Sequence, residues 1–201
     1  MGDVTADRPL NPVVDPGRLF IVSAPSGAGK TTLCDAVRQH ICDLAYSISY
    51  TTRSPRPGEA DGKDYFFISR DAFEEGIANG CWAEWARVHG HLYGTSAEWI
   101  DQTLARGQDI LMDIDVQGTR QLLRRFPQAV TIFISPPSLE TLEQRLRQRG
   151  GDDEATIAIR MRNARLEMDQ QETYRHVLVN DDLDRAKQAF ISIIESYRLP
   201  T

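Results

Sequence analysis

Eight consecutive residues concentrate chemistry near the start of the chain: Ala24-Pro25-Ser26-Gly27-Ala28-Gly29-Lys30-Thr31. Gly27 and Gly29 let a backbone approach an anion with no Cβ in the way. Main-chain N–H groups and a helix N-terminus can then wrap a diphosphate, with Lys30 reaching the outer phosphates and the Thr31 hydroxyl placed to ligand Mg²⁺. The run is a Walker A loop in all but its first position, where Ala24 stands in place of glycine. An ordinary glycine-rich turn is the competing reading, and G-x-G-K-T between a buried strand and a helix argues against it.

Two more groupings carry polar chemistry. Ile110-Leu111-Met112-Asp113-Ile114-Asp115 ends an apolar strand in a carboxylate, where Asp113 can hold a Mg²⁺-bound water. Alone, such an aspartate is as readily a cap. In Thr51-Thr52-Arg53-Ser54-Pro55-Arg56-Pro57-Gly58-Glu59, two arginines three residues apart and stiffened by prolines form a fork for phosphate oxygens. Tyr65 is near enough to complete the grip, although a solvated loop is the usual meaning of a lone R-x-x-R.

These residues need a scaffold, and the hydrophobic pattern supplies one. Leu19-Phe20-Ile21-Val22, Asp109 to Asp113, Ala129 to Ile134 and His176 to Val179 read as buried strands. Helices are expected over 29–40, 116–126 and 183–197, and two apolar helical stripes (Leu139/Leu142/Leu146 and Ile157/Met161/Ala164/Met168) flank Gly150-Gly151. Strands alternating with helices predict an α/β fold, a parallel sheet flanked by helices. Residues 47–93 break that rhythm: strands over 47–50 and 65–68, a helix over 70–79 capped by Ser69, then a hairpin around Gly90. Thr95-Ser96-Ala97-Glu98 matches a capping box with Thr95 as the cap. Residues 1–17, with Pro9, Pro12 and Pro16, read as a flexible extension.

Composition bounds the rest. The 201 residues carry 23 basic and 29 acidic side chains, net −6, with 41% apolar content, which fits one globular domain. An acidic chain with only three lysines is a poor nucleic-acid binder. No apolar run reaches the roughly 18 residues of a membrane span, no signal pattern opens the chain, and three cysteines form no metal or disulfide pattern. A cytoplasmic enzyme is expected. The four histidines, His89 and His91 among them, show no metal-ligand arrangement.

The ordered blocks resemble guanylate kinase from about residue 18 to 197. They are the phosphate loop, T-T-R-S-P-R-P-G-E at 51–59, G-K-D-Y-F-F at 62–67, Y-G-T at 93–95, D-I-D-V-Q-G at 113–118, P-P-S at 136–138 and V-N-D-D at 179–182. The resemblance implies a P-loop NTPase core (18–46, 94–144 and 172–198), a β-rich GMP-binding region (47–93) and a mobile lid (about 145–171). It implies ATP and GMP as substrates with Mg²⁺, in a monomer or small homo-oligomer. GMP phosphate would be held by Arg53, Arg56, Tyr65 and Tyr93, and guanine read by Ser49, Glu84, Thr95 and Asp115 with Asp113 close by. Lys30 with the lid arginines Arg145, Arg149 and Arg160 would neutralise the transferring phosphoryl group, and Asn180 would lie near the adenine. Glu84 also has a bland reading, as a solvated strand residue between Trp82 and Trp85. A non-catalytic protein-binding module built on the same domain is the alternative. It is disfavoured by the intact Lys30, Thr31 and paired aspartates.

Overall fold

The structure, a computed structural model, describes residues 15–88 and 90–198; residues 1–14 of the expected extension, and His89, lie outside the described residues. In chain order the first elements are β1 (Leu19–Ser23), α1 (Lys30–His40), β2 (Ala45–Tyr46), β3 (Tyr50–Thr51), β4 (Phe66–Phe67) and α2 (Arg70–Ala78). Next come β5 (Trp82–Val88), β6 (His91–Ser96), α3 (Ala97–Ala105), β7 (Ile110–Asp113), α4 (Val116–Arg125) and β8 (Val130–Ser135). The chain ends with α5 (Leu139–Arg149), α6 (Glu154–Met168), β9 (His176–Val179) and α7 (Leu183–Arg198).

Every side chain of β1 is buried, which is why the strand is apolar on both faces. It pairs in parallel with β7 on one side and β8 on the other, inside a five-stranded parallel sheet of order β2-β7-β1-β8-β9. One face packs on α1 and α7 through Phe20, Val22, Leu33, Val37, Phe190 and Ile194. The other packs on α3 and α4 through Ile21, Ile100, Met112 and Leu122. Parallel strands all point the same way, so β1 and β7 deliver the phosphate loop and Asp113 to one edge of the sheet.

A second sheet, β4-β3-β6-β5, is built from the insertion. Its outer strand β5 is fixed to the core by one side chain. Gln121 of α4 donates to the Trp85 carbonyl at 2.8 Å and accepts from the Trp85 amide at 3.2 Å, so an edge strand finds both of its partners. The expected strand over 47–50 is instead two short strands in different sheets. Ala45–Tyr46 pairs with Ile110–Leu111 in the core, while Tyr50–Thr51 pairs with Tyr93–Gly94 and Phe66–Phe67 in the insertion. The chain changes sheets between them, with the Ser47 amide still donating to Leu111.

Two sequence expectations move by a residue or more. Ser96, not Thr95, caps α3, accepting from the Trp99 amide at 3.2 Å; Thr95 is a strand residue committed elsewhere. Gly17, assigned to the extension, is tied to the domain by its amide bond to Leu104 at 2.8 Å. Among the described residues no helix is long and apolar enough to cross a membrane.

Candidate active site

The loop from Ala24 to Gly29 joins β1 to α1. Gly27 and Gly29 have φ of 94° and 93°, a region that only glycine enters freely. Gly29 caps α1 with no side-chain acceptor, and the first turn carries no acidic residue. The exposed N–H groups and the helix dipole therefore point unopposed at the mouth of the loop, a ready anion site. Ala24 is partly buried, packing against the core cluster while also lining the cleft.

Lys30 forms an ion pair with Asp113 at the end of β7. Burial pulls the Lys30 ammonium down, and the adjoining Asp113 carboxylate more than offsets it, leaving Lys30 above its ordinary value. The cation is therefore held charged and ready for an incoming phosphate. Thr31 stands exposed beside it.

Asn180 sits beneath the phosphate loop. It is buried, donates from its side chain to the Ala28 carbonyl at 2.8 Å, and accepts from Arg145 through its own carbonyl at 2.9 Å. A Cβ on Gly29 would lie 2.4 Å from the Asn180 amide nitrogen, so the side chain braces the underside of the loop.

A cleft of about 820 Å³ runs from this loop to the second sheet and α5. Glu84, Ala86 and Val88 alternate along β5 into it, while Trp85 and Arg87 face water. A bulge between Trp82 and Glu84 sets that phase and brings Glu84 directly opposite Thr95. Thr95 donates to Glu84 Oε1 at 2.7 Å. Burial pushes the Glu84 carboxyl up to about 7, with the Thr95 bond opposing and nearby Asp115 adding to the rise. Ser49 also lines the cleft, as does Asp115, which at the same time caps α4 by accepting from the Gly118 amide at 2.8 Å.

Arg53 is held on several sides. It donates to both carboxylate oxygens of Glu59, each at 2.9 Å, and through Nε to the Tyr93 hydroxyl at 3.2 Å, with its guanidinium 5.3 Å from the Tyr65 ring centre. Arg56 is exposed. On the opposite wall Arg145 and Arg149 of α5 line the cleft, and Arg160 of α6 donates to the Ser26 hydroxyl at 3.0 Å and to Asp152 at 3.1 Å. Helices α5 and α6 share a small apolar core of Leu142, Leu146, Ile157, Met161 and Ala164. Gly150 and Gly151 between them adopt φ of 68° and 88°, and a Cβ at either would meet nothing within 4 Å.

A single cleft thus joins a phosphate loop, a buried carboxylate bonded to a hydroxyl, the rings of Tyr65 and Tyr93, and the α5 arginines Arg145 and Arg149, while Arg53, Arg56 and Arg160 lie outside its lining. The guanylate kinase family profile matches residues 16–197. The chain belongs to the guanylate kinase family. It is 50% identical over 186 residues to the guanylate kinase of Nitrosospira multiformis, covering 92% of this chain and 89% of that one. It is likewise 50% identical over 183 residues to that of Chromobacterium violaceum, covering 91% and 87%. The crystal structure of guanylate kinase from Anaplasma phagocytophilum superposes with a TM-score of 0.73 at 30% identity, over 93% of this chain and 89% of that one.

Three residues of this guanylate kinase site escaped sequence reasoning. Gly118 abuts the buried Glu84 carboxyl: a Cβ there would lie 2.8 Å from Glu84 Oε2. Its presence in D-I-D-V-Q-G was the available signal. Glu167 of α6 lines the cleft, half-buried and pushed up to about 7 by burial, with Lys30 opposing and Asp115 adding. On a helix of mixed charge nothing in the sequence singles it out. Glu59 ends the T-T-R-S-P-R-P-G-E block, and its three bonds reach back only three and six residues, but a loop carries no periodicity to show which way its side chain turns.

Proposed function

We infer that this chain transfers the γ-phosphoryl group of ATP to GMP, giving ADP and GDP. The observation that carries this reading is the buried Glu84, held by Thr95 behind it and lining the same cleft as Lys30 and Asp113. Guanine offers N1–H and N2–H₂ donors beside an O6 acceptor, and a carboxylate with flanking hydroxyls complements that edge. Glu84 accepts from the two donors, and Ser49, Thr95 and Asp115 complete the reading of the base, with Asp113 close by. Adenine would set an N1 lone pair against a buried carboxylate and leave it unpaired.

In this reading Arg53, Arg56, Tyr65 and Tyr93 hold the GMP phosphate, whose anionic oxygen is the nucleophile. No general base is required, so catalysis reduces to alignment and charge neutralisation. The backbone from Ala24 to Thr31 cradles the ATP phosphates, with Asn180 bracing it from beneath. Lys30, Arg145, Arg149 and Arg160 neutralise the transferring group. Residues 145–171 act as a lid that excludes water from the γ-phosphate, with Gly150-Gly151 as the pliable turn between its two arginine-bearing helices.

A hydroxyl and a carboxylate are hard oxygen donors, and the exposed Thr31 and Asp113 at the strand end fit Mg²⁺ for that reason. Among the described residues no three His, Cys, Asp or Glu side chains cluster as a metal cage, in keeping with an ion carried mainly on nucleotide phosphates. When bound, Mg²⁺ supplies positive charge to the β- and γ-phosphate oxygens. We place the reaction in the cytoplasm, in purine nucleotide metabolism and GMP recycling, with dGMP as a second acceptor. The protein acts as a monomer or small homo-oligomer.

The non-catalytic alternative is disfavoured by the charged, paired Lys30 in an open phosphate loop. Phosphorus NMR of a mixture of protein, ATP, Mg²⁺ and GMP tests the reading: equal amounts of GDP and ADP are expected. Unchanged GMP after prolonged incubation would contradict it.

A further inference from the structure

Glu59 makes three hydrogen bonds to the segment that carries both phosphate-site arginines. Its Oε1 accepts from Arg53 at 2.9 Å, and its Oε2 accepts from Arg53 at 2.9 Å and from the Arg56 amide at 2.7 Å. The Glu59 amide donates back to the Arg56 carbonyl at 3.0 Å, closing a tight turn that Gly58 allows with φ of 89°. Arg53 also donates to the Ser54 carbonyl at 2.7 Å and to Tyr93. Of the five N–H donors a guanidinium has, four are committed to the protein and one remains.

An arginine so fixed loses little side-chain freedom when a phosphate arrives, and its last donor stands beside the Tyr93 hydroxyl. Arg56 offers the contrast: exposed, with no side-chain partner among the described residues. We propose that Glu59 is the positioning residue of the phosphate site, a fixed anion that orients Arg53 rather than a plug the substrate must displace. This rests on the reading that Arg53 grips the GMP phosphate.

The two roles for Glu59 predict opposite signs. Electrostatics alone makes a carboxylate beside a phosphate site repulsive, so neutralising a plug tightens GMP. Neutralising a positioning residue weakens it, because Glu59→Gln turns an N–H₂ donor toward Arg53 donors and frees the guanidinium.

Calorimetric binding of GMP and of guanosine to wild type, Glu59→Gln, Arg53→Met and the double variant separates the cases. The proposal expects GMP binding about tenfold weaker in Glu59→Gln, as for loss of a charged hydrogen-bond partner, with guanosine unchanged. It also expects the double variant to bind no worse than Arg53→Met, since Glu59 acts through Arg53. Equal or tighter GMP binding in Glu59→Gln, with Arg53→Met weakened, overturns the proposal and leaves the phosphate reading standing. Parallel loss of guanosine overturns it in favour of a merely structural role. Unchanged GMP affinity in Arg53→Met overturns the phosphate reading itself, and the proposal with it.

Discussion

Thr95 donates its hydroxyl proton to Glu84 across 2.7 Å, in a pocket where the carboxyl is only 6% exposed. One hydrogen bond does not repay the burial of a charge, and the carboxyl is pushed up to about 7 by that burial.

That cost gives a pH-dependent stability with a definite sign. A carboxyl raised above its unfolded value favours folding while protonated, and the benefit is lost as pH rises from its unfolded pKa through about 7. Glu84→Gln, which never ionises, should therefore be more stable than wild type at about pH 8, by up to ~3 kcal/mol, with the gain vanishing near pH 4. Urea unfolding of both proteins across this range checks it. A Gln variant less stable than wild type at the alkaline end would show that Glu84 is not a strained anion.

Gly118 sits inside α4, where alanine is normally preferred by about 0.5–1 kcal/mol. Here a methyl group would press on Glu84 Oε2 at 2.8 Å. Gly118→Ala should keep its helix, by circular dichroism, and raise the KM for GMP by roughly tenfold through a displaced carboxylate. An unchanged KM would mean that the Glu84 position does not matter to binding.

Arg149 lines the cleft at the end of α5, directly before the paired glycines, and finds no hydrogen-bond partner among the described residues. Such a side chain is free to meet a phosphate, and in the proposed lid it does so on closure. Arg149→Ala should cut kcat by ~10²- to 10³-fold while GMP binding without ATP stays within about twofold. Lost GMP affinity with preserved kcat would place Arg149 in the ground-state site instead.

What the sequence made legible was whatever depends on neighbours in the chain. The four-residue apolar run before Ala24, the glycines of the loop and the Ser69 cap are local signals, and each lies where the pattern put it. Pairing partners far along the chain were hidden. Tyr50–Thr51 becomes a strand only because Tyr93 and Phe66 come alongside, and two residues carry no periodicity to read. The change of cap from Thr95 to Ser96 has the same origin: Glu84, eleven residues away, takes the Thr95 hydroxyl. The bulge that aims Glu84 leaves no mark in Trp82-Ala83-Glu84-Trp85, and the brace from Asn180 to Ala28 spans 152 positions.

The central claim is that a buried carboxylate selects guanine at a phosphoryl-transfer site. A coupled assay of ADP release, with ATP and Mg²⁺ and each of GMP, AMP, UMP, CMP and dTMP in turn, tests it most directly. The kcat/KM for GMP should exceed that for AMP by ~10⁴ or more, because adenine leaves Glu84 unpaired in a buried site. Turnover of AMP equal to that of GMP would contradict it.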